Sequence, residues 1–176
     1  PTKDVHLWRL NDVEYWLQFK DFVRVIRSPI ADDQYRRIYW SGDSRDVDGH
    51  VLFSYTPVLY QSGVNYPVVW YKLGIPAPTV AATITSNTNT VPAEELDMYS
   101  DEQRVYVYTY IGSLGEESAP SPPSAGIFAP HDKSTVVLGH LLLDATAVDG
   151  RNIVSKRIYR SLTGSTGEAE YYFLAQ

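Results

Sequence analysis

An all-β fold is predicted for this 176-residue chain by three observations. Residues 1–75 carry short apolar-aromatic runs, VHLWRL, YWLQF, FVRVIR, YRRIYW, VLFSY and VVWYKLG, about 8–15 residues apart and divided by Asn, Asp, Gly and Pro, which is the rhythm of strands and turns. Tyrosine and tryptophan are abundant, 14 and 4 residues, against a single Met, a composition that suits pleated, half-buried surfaces. Residues 104–110, RVYVYTY, alternate strictly and set Tyr106, Tyr108 and Tyr110 on one face of a strand and Val105, Val107 and Thr109 on the other.

The elements follow in chain order. In DFVRVIRSPI neither face is cleanly apolar, which predicts an edge or interface strand that Pro29 ends. The segment SGDSRDVDGH, 41–50, is a polar turn closing on Asp-Gly, so Trp40 and Val51 flank a hairpin. In LGIPAPTV, Pro76 and Pro78 preset an extended backbone that neither continues a helix nor sits inside a sheet. The expected organisation is therefore a β-rich segment 1–75, a Pro-rich linker 76–78 and a second segment 79–176. Residues 79–88 read as its first strand. The stretch 92–103 is the one helical candidate, with Pro92 at its start, acids in its first turn, and Leu96 and Tyr99 on one face. GSLGEESAPSPPS reads as a Gly turn followed by an extended Pro/Ser strand or linker, and 134–143, 153–162 and 170–176 read as three further strands.

Composition excludes several classes of chemistry. There is no cysteine, hence no disulfide, zinc ribbon or thiol nucleophile. A net charge of −6 argues against a protein that coats nucleic acid, and no apolar run approaches the roughly 18 residues of a membrane span. His6, His50, His131 and His140 never fall at helical metal-site spacing, and no phosphate loop or nucleophile elbow occurs. Asp43, Asp46 and Asp48 precede Gly49, but with Gly49 at the sixth position of a calcium loop the twelfth would be Tyr55, not Glu; the expectation is a solvated hairpin loop. No catalytic residue, metal or cofactor is assigned. YRRIYW interleaves Arg36 and Arg37 with Tyr39 and Trp40, and Asp32, Asp33 and Asp43 flank it, so ion pairs across a hairpin or at a subunit contact are expected ahead of nucleic-acid stacking. Together with Tyr106, Tyr108 and Tyr110, these four residues are the candidate interface residues; a stripe of tyrosines would also suit a glycan.

RVYVYTYIGSLGEESAPSPPS, SKRIYRSLTGS and EYYFLAQ resemble fibronectin type III-like modules, with Tyr106 and Tyr108 on the penultimate strand, Gly115, Glu116 and Ser118 in its turn, and Pro120 and Ser121 opening the closing strand. VSKRIYR resembles an early strand of such a module, so late-type strands precede early-type ones. Either the domain is permuted or interleaved, or a module boundary lies near 125–130. Taken with the N-terminal 40 residues and YKLGIPAP, the order of motifs resembles tailed-bacteriophage virion proteins, namely nozzle or tail-tube-terminus components and fibre or tip proteins. The resemblance implies a β-sandwich from residue 79 onward and a structural component of a phage tail, located in the virion, that packs as a ring-like homo-oligomer with other tail proteins. It implies as alternatives a receptor- or polysaccharide-binding module of a tail fibre, meeting a host-surface glycan, and the accessory domain of a glycan-degrading enzyme. The chain opens on Pro1 and stops directly after its last strand, from which a piece of a longer polypeptide is expected.

Overall fold

The computed structural model describes residues 1–56, 58–59, 67–98, 101–130, 134–139, 141, 149–163 and 169–176. Over these it is all-β, built from antiparallel pairs. The chain forms two compact units, Pro1–Gly74 with Gly150–Asn152, and Ile75–Asp149 with Ile153–Gln176.

In the first unit, β1 (Asp4–Leu10) and β2 (Val13–Phe19) form a hairpin in register Leu10 to Val13. Its two loop residues, Asn11 and Asp12, have φ of 48° and 63°, the left-handed pair that a two-residue hairpin requires and that Asn and Asp tolerate best. Strands β3 (Arg24–Arg27), β4 (Ile38–Ser41), β5 (Leu52–Ser54) and β6 (Tyr71–Lys72) make a four-stranded sheet in that order. β3 is an edge, as the mixed alternation of its sequence predicts, and leaves Phe22 and Ile26 largely exposed. Period-2 geometry sends Ile38, Trp40 and Leu52 into a core with Trp8, Leu17, Phe19 and Leu59. The opposite face carries an aromatic ladder, Tyr39 to Phe53 to Tyr71, with ring centroids 6.1 and 5.7 Å apart.

In the second unit, β7 (Thr83–Asn89) pairs with β11 (Ser134–Gly139), and β8 (Asp101–Arg104) with β10 (Ile127–Pro130). The longest strand, β12 (Ile153–Thr163), lies between β9 (Tyr106–Gly112) and β13 (Ala169–Ala175). Strand β9, from the middle of the chain, thus pairs in one sheet with the two strands that end it. The helical candidate within 92–103, expected to make one or two turns, is found at its start and needs correction at its end. Only Ala93–Met98 turn, as a short 3-10 helix, and 101–104 are strand β8, because pairing with 127–130 offers those backbone groups a ladder that a solvent-facing helix cannot. Strand β10 had no signal in the sequence reading. Tyr99, His131 and His140 lie outside the described residues. The core of this unit is Ala82, Tyr108 and Tyr110, with Ile75, Leu141, Ile153 and Ile158 packed against it.

Candidate functional site

The three-stranded sheet has two edges, and the chain treats them differently. Along β9, the residues read as a strand or linker form a repeated device. Ser118, Ser121 and Ser124 donate their backbone N–H groups to the carbonyls of Tyr110, Tyr108 and Tyr106 at 2.9, 2.8 and 2.9 Å. Their Oγ atoms accept the N–H groups of the same tyrosines at 3.0, 3.1 and 2.9 Å. Each hydroxyl then donates to the carbonyl of the next residue, Ala119, Pro122 or Ala125. In a regular antiparallel pair the backbone carbonyl would accept that tyrosine N–H. Here the hydroxyl replaces it. The segment carries Pro120, Pro122 and Pro123, and an extended Pro-rich chain repeats every three residues while a strand repeats every two, so serines three apart meet tyrosines two apart. The first edge is thereby sealed.

Among the described residues no strand pairs with the other side of β13, the second edge. Tyr171, Tyr172, Phe173 and Leu174 are 45, 46, 56 and 46% exposed, so both faces of this strand retain apolar surface. An edge of this kind, long and apolar with a single acidic side chain, Glu170, is a template for pairing with another strand.

Tyr106, Tyr108 and Tyr110 lie inside the unit, 4, 2 and 1% exposed. Their stripe packs in the domain rather than presenting itself to a partner or a sugar, and Tyr108 OH donates to the Val80 carbonyl at 2.9 Å. The opposite face is buried as well: Thr109 is 4% exposed. Its Oγ1 donates to Glu117 Oε1 at 2.6 Å, and Glu117 also accepts Tyr159 OH at 2.5 Å and Arg157 Nη1 at 2.7 Å. Burial pushes the Glu117 carboxyl up, but these three donors outweigh it and hold it below its usual range. Glu117 thus ties β9 to β12 as an ionised, fully engaged group, and it carries no signal in the sequence because its partners lie 8, 40 and 42 residues away. The serine spacing S-x-x-S-x-x-S next to a Tyr stripe was the visible clue to the sealed edge.

In the first unit the 41–50 loop is solvated as expected at Gly42, Ser44, Arg45, Val47, Asp48 and Gly49, but two of its carboxylates are not. Asp43 and Asp46 are buried. Asp43 accepts Trp40 Nε1–H at 2.9 Å and pairs with Arg45, while Asp46 accepts the His50 backbone N–H and faces its Nδ1 at 3.2 Å. A carboxylate inside a tight loop caps backbone donors, which a spacing test for calcium does not register. Asp46, Asp48 and His50 bring ligand-type atoms within 4.8 Å of one another. Lys72 Nζ stands 3.6 Å from Asp46 and 3.5 Å from Asp48, supplying the positive charge a cation would bring.

The YRRIYW residues separate. Trp40 is core, 1% exposed, and Tyr39 belongs to the aromatic ladder. Arg37 Nε pairs with Asp33 at 2.8 Å, and Arg36 is exposed with φ of 47°. Burial raises the Asp33 carboxyl, yet hydrogen bonds from Arg37, Ser28 and the Tyr35 and Arg37 backbone N–H groups bring it down to about 2. Since this folded value lies below the unfolded one, the stabilisation is present above pH 4 and is lost as pH falls toward 2. Asp33→Asn should therefore be less stable than wild type by about 2 kcal/mol at pH 6. In urea titrations the gap should narrow between pH 4 and 2; a gap independent of pH would remove the ion pair from the account.

Fold and site define a two-unit all-β protein with one edge closed by serine side chains and one that no described strand pairs with. No family model, no curated protein and no solved structure matches this chain. Among the described residues no helix is long and apolar enough to cross a membrane.

Proposed function

We propose that the protein is a structural subunit of a bacteriophage tail that assembles with copies of itself and with other tail proteins through β-strand contacts. The virion setting rests on the order of motifs in the sequence. The assembly role rests on one observation, the contrast between the sealed β9 edge and the open β13 edge. Backbone N–H and C=O groups along an exposed apolar strand gain partners when a neighbouring strand adds, and the half-exposed rings of Tyr171, Tyr172 and Phe173 lose water at the same time. The strand also carries little to repel a copy, since Glu170 is its single charge. A β13-to-β13 contact about a two-fold axis stops at a dimer; a ring needs β13 to meet a different strand of the next copy.

The mass measured by sedimentation velocity over a range of concentrations should rise from monomer to a closed species larger than a dimer. Phe173→Lys, which places a charge on the open edge without touching the buried core, should hold the protein at monomer mass with an unchanged circular dichroism spectrum. A wild type that stays monomeric at the highest concentration, or a Phe173→Lys variant that assembles as wild type does, would reject the reading. A species that stops at a dimer would reject the ring.

A further inference from the structure

In the first unit a cavity of about 460 Å3 opens between the β1–β2 hairpin and the loop that joins β3 to β4. That is within the roughly 300–1,000 Å3 of small-ligand clefts. Its lining includes Arg9, Arg27, Arg36 and Arg37 in a chain of net charge −6. Two of these are committed, Arg9 to Glu14 at 2.6 Å and Arg37 to Asp33 at 2.8 Å. Arg36 makes no side-chain hydrogen bond or ion pair among the described residues, and Arg27 makes a long bond to the Leu7 carbonyl at 3.4 Å and lies near His6.

The loop that carries Arg36 is fixed. Asp32 and Arg36 both adopt left-handed backbone, φ 52° and 47°, a conformation that costs a non-glycine residue energy and persists only where surroundings enforce it. Asp33 supplies the enforcement: its carboxylate accepts the Tyr35 and Arg37 backbone N–H groups at 3.1 and 3.2 Å, and its carbonyl accepts the Arg36 N–H at 2.8 Å. The strained turn thus displays Asp32, Gln34 and Arg36 from a pinned backbone, in the lining of the same cavity as Arg27.

We propose that this cavity binds an acidic saccharide, a sugar ring carrying a carboxylate. The Arg36 fork, and that of Arg27 with its single long bond to the Leu7 carbonyl, match the planar carboxylate. Asp32 repels any anion, and a multiply charged phosphate more than a single carboxylate, while it can accept from hydroxyl donors; Gln34 can both accept from and donate to such hydroxyls, so the lining favours a carboxylate carried on a hydroxyl-bearing ring. This site is independent of the β13 edge and of any assembly.

The test is calorimetric titration of the full chain with tri-galacturonate, with maltotriose as neutral counterpart and inorganic phosphate as ion control. Tri-galacturonate should bind saturably, maltotriose should not, and phosphate should bind at least about tenfold more weakly. Arg36→Asn, which keeps a residue tolerant of the left-handed turn, and Arg27→Gln should each weaken tri-galacturonate binding at least about tenfold while melting as wild type does. Absence of saturable binding, equal affinity for phosphate, equal affinity for maltotriose, or wild-type affinity in both variants would each overturn the proposal.

Discussion

Replacing Ser118, Ser121 and Ser124 together by alanine should lower the unfolding free energy by about 3–9 kcal/mol. Each hydroxyl is the acceptor for a buried tyrosine N–H, at 3.0, 3.1 and 2.9 Å. Removing it leaves that donor buried and unpaired, at a cost of about 1–3 kcal/mol each. The serines are themselves buried, 8, 5 and 6% exposed, so water is poorly placed to substitute. Urea denaturation measures the loss. Hydrogen exchange localises it, because the amides of Tyr106, Tyr108 and Tyr110 should lose protection before those of β7. Ser86→Ala, at an exposed serine on β7, is the control and should stay within about 0.5 kcal/mol of wild type. A triple variant within about 1 kcal/mol of wild type would show that the segment leans on β9 without holding it.

Tyr108→Ala should cost about 3–5 kcal/mol, the range for deleting a large buried aromatic ring. Tyr108 is 2% exposed, stacks edge-on against Tyr110 with centroids 5.9 Å apart, and sits beneath Lys156 Nζ at 5.8 Å. Tyr108→Phe removes only the hydroxyl that reaches the Val80 carbonyl and should cost about 1 kcal/mol. The ratio of the two separates packing from hydrogen bonding. Thr109→Ala on the opposite face should cost about 1–2 kcal/mol, because Glu117 then loses one of its three side-chain donors. Equal and small losses for all three variants would mean that β9 is not central to the core.

These outcomes bear on function through the same sheet. A sealed first edge and a packed centre leave β13 as the surface on which assembly variants act without loss of the fold. Phe173→Lys and Ser121→Ala should then separate: the first changes mass and leaves stability, the second does the reverse.

The sequence by itself determined whatever depends on neighbouring residues. Alternation forces Tyr106, Tyr108 and Tyr110 onto one face, Asn11 and Asp12 supply the left-handed turn of the first hairpin, and the polar run 41–50 joins β4 to β5 as hairpin chemistry requires. These features follow from backbone dihedrals and a two-residue period, which are local. The 3-10 helix stopped short and β10 escaped notice because residues 101–104 find their ladder partners in 127–130, a stretch distant in the chain. The tertiary structure alone decided that β12 lies between β9 and β13, that both faces of β9 are buried, and that Glu117 meets Arg157 across 40 residues of chain. It likewise decided that Asp46 sits beside Lys72 and that Arg27 and Arg36 share a cavity. Pairing, burial and charge proximity are properties of residues far apart in sequence, and only the packed chain brings them to one place.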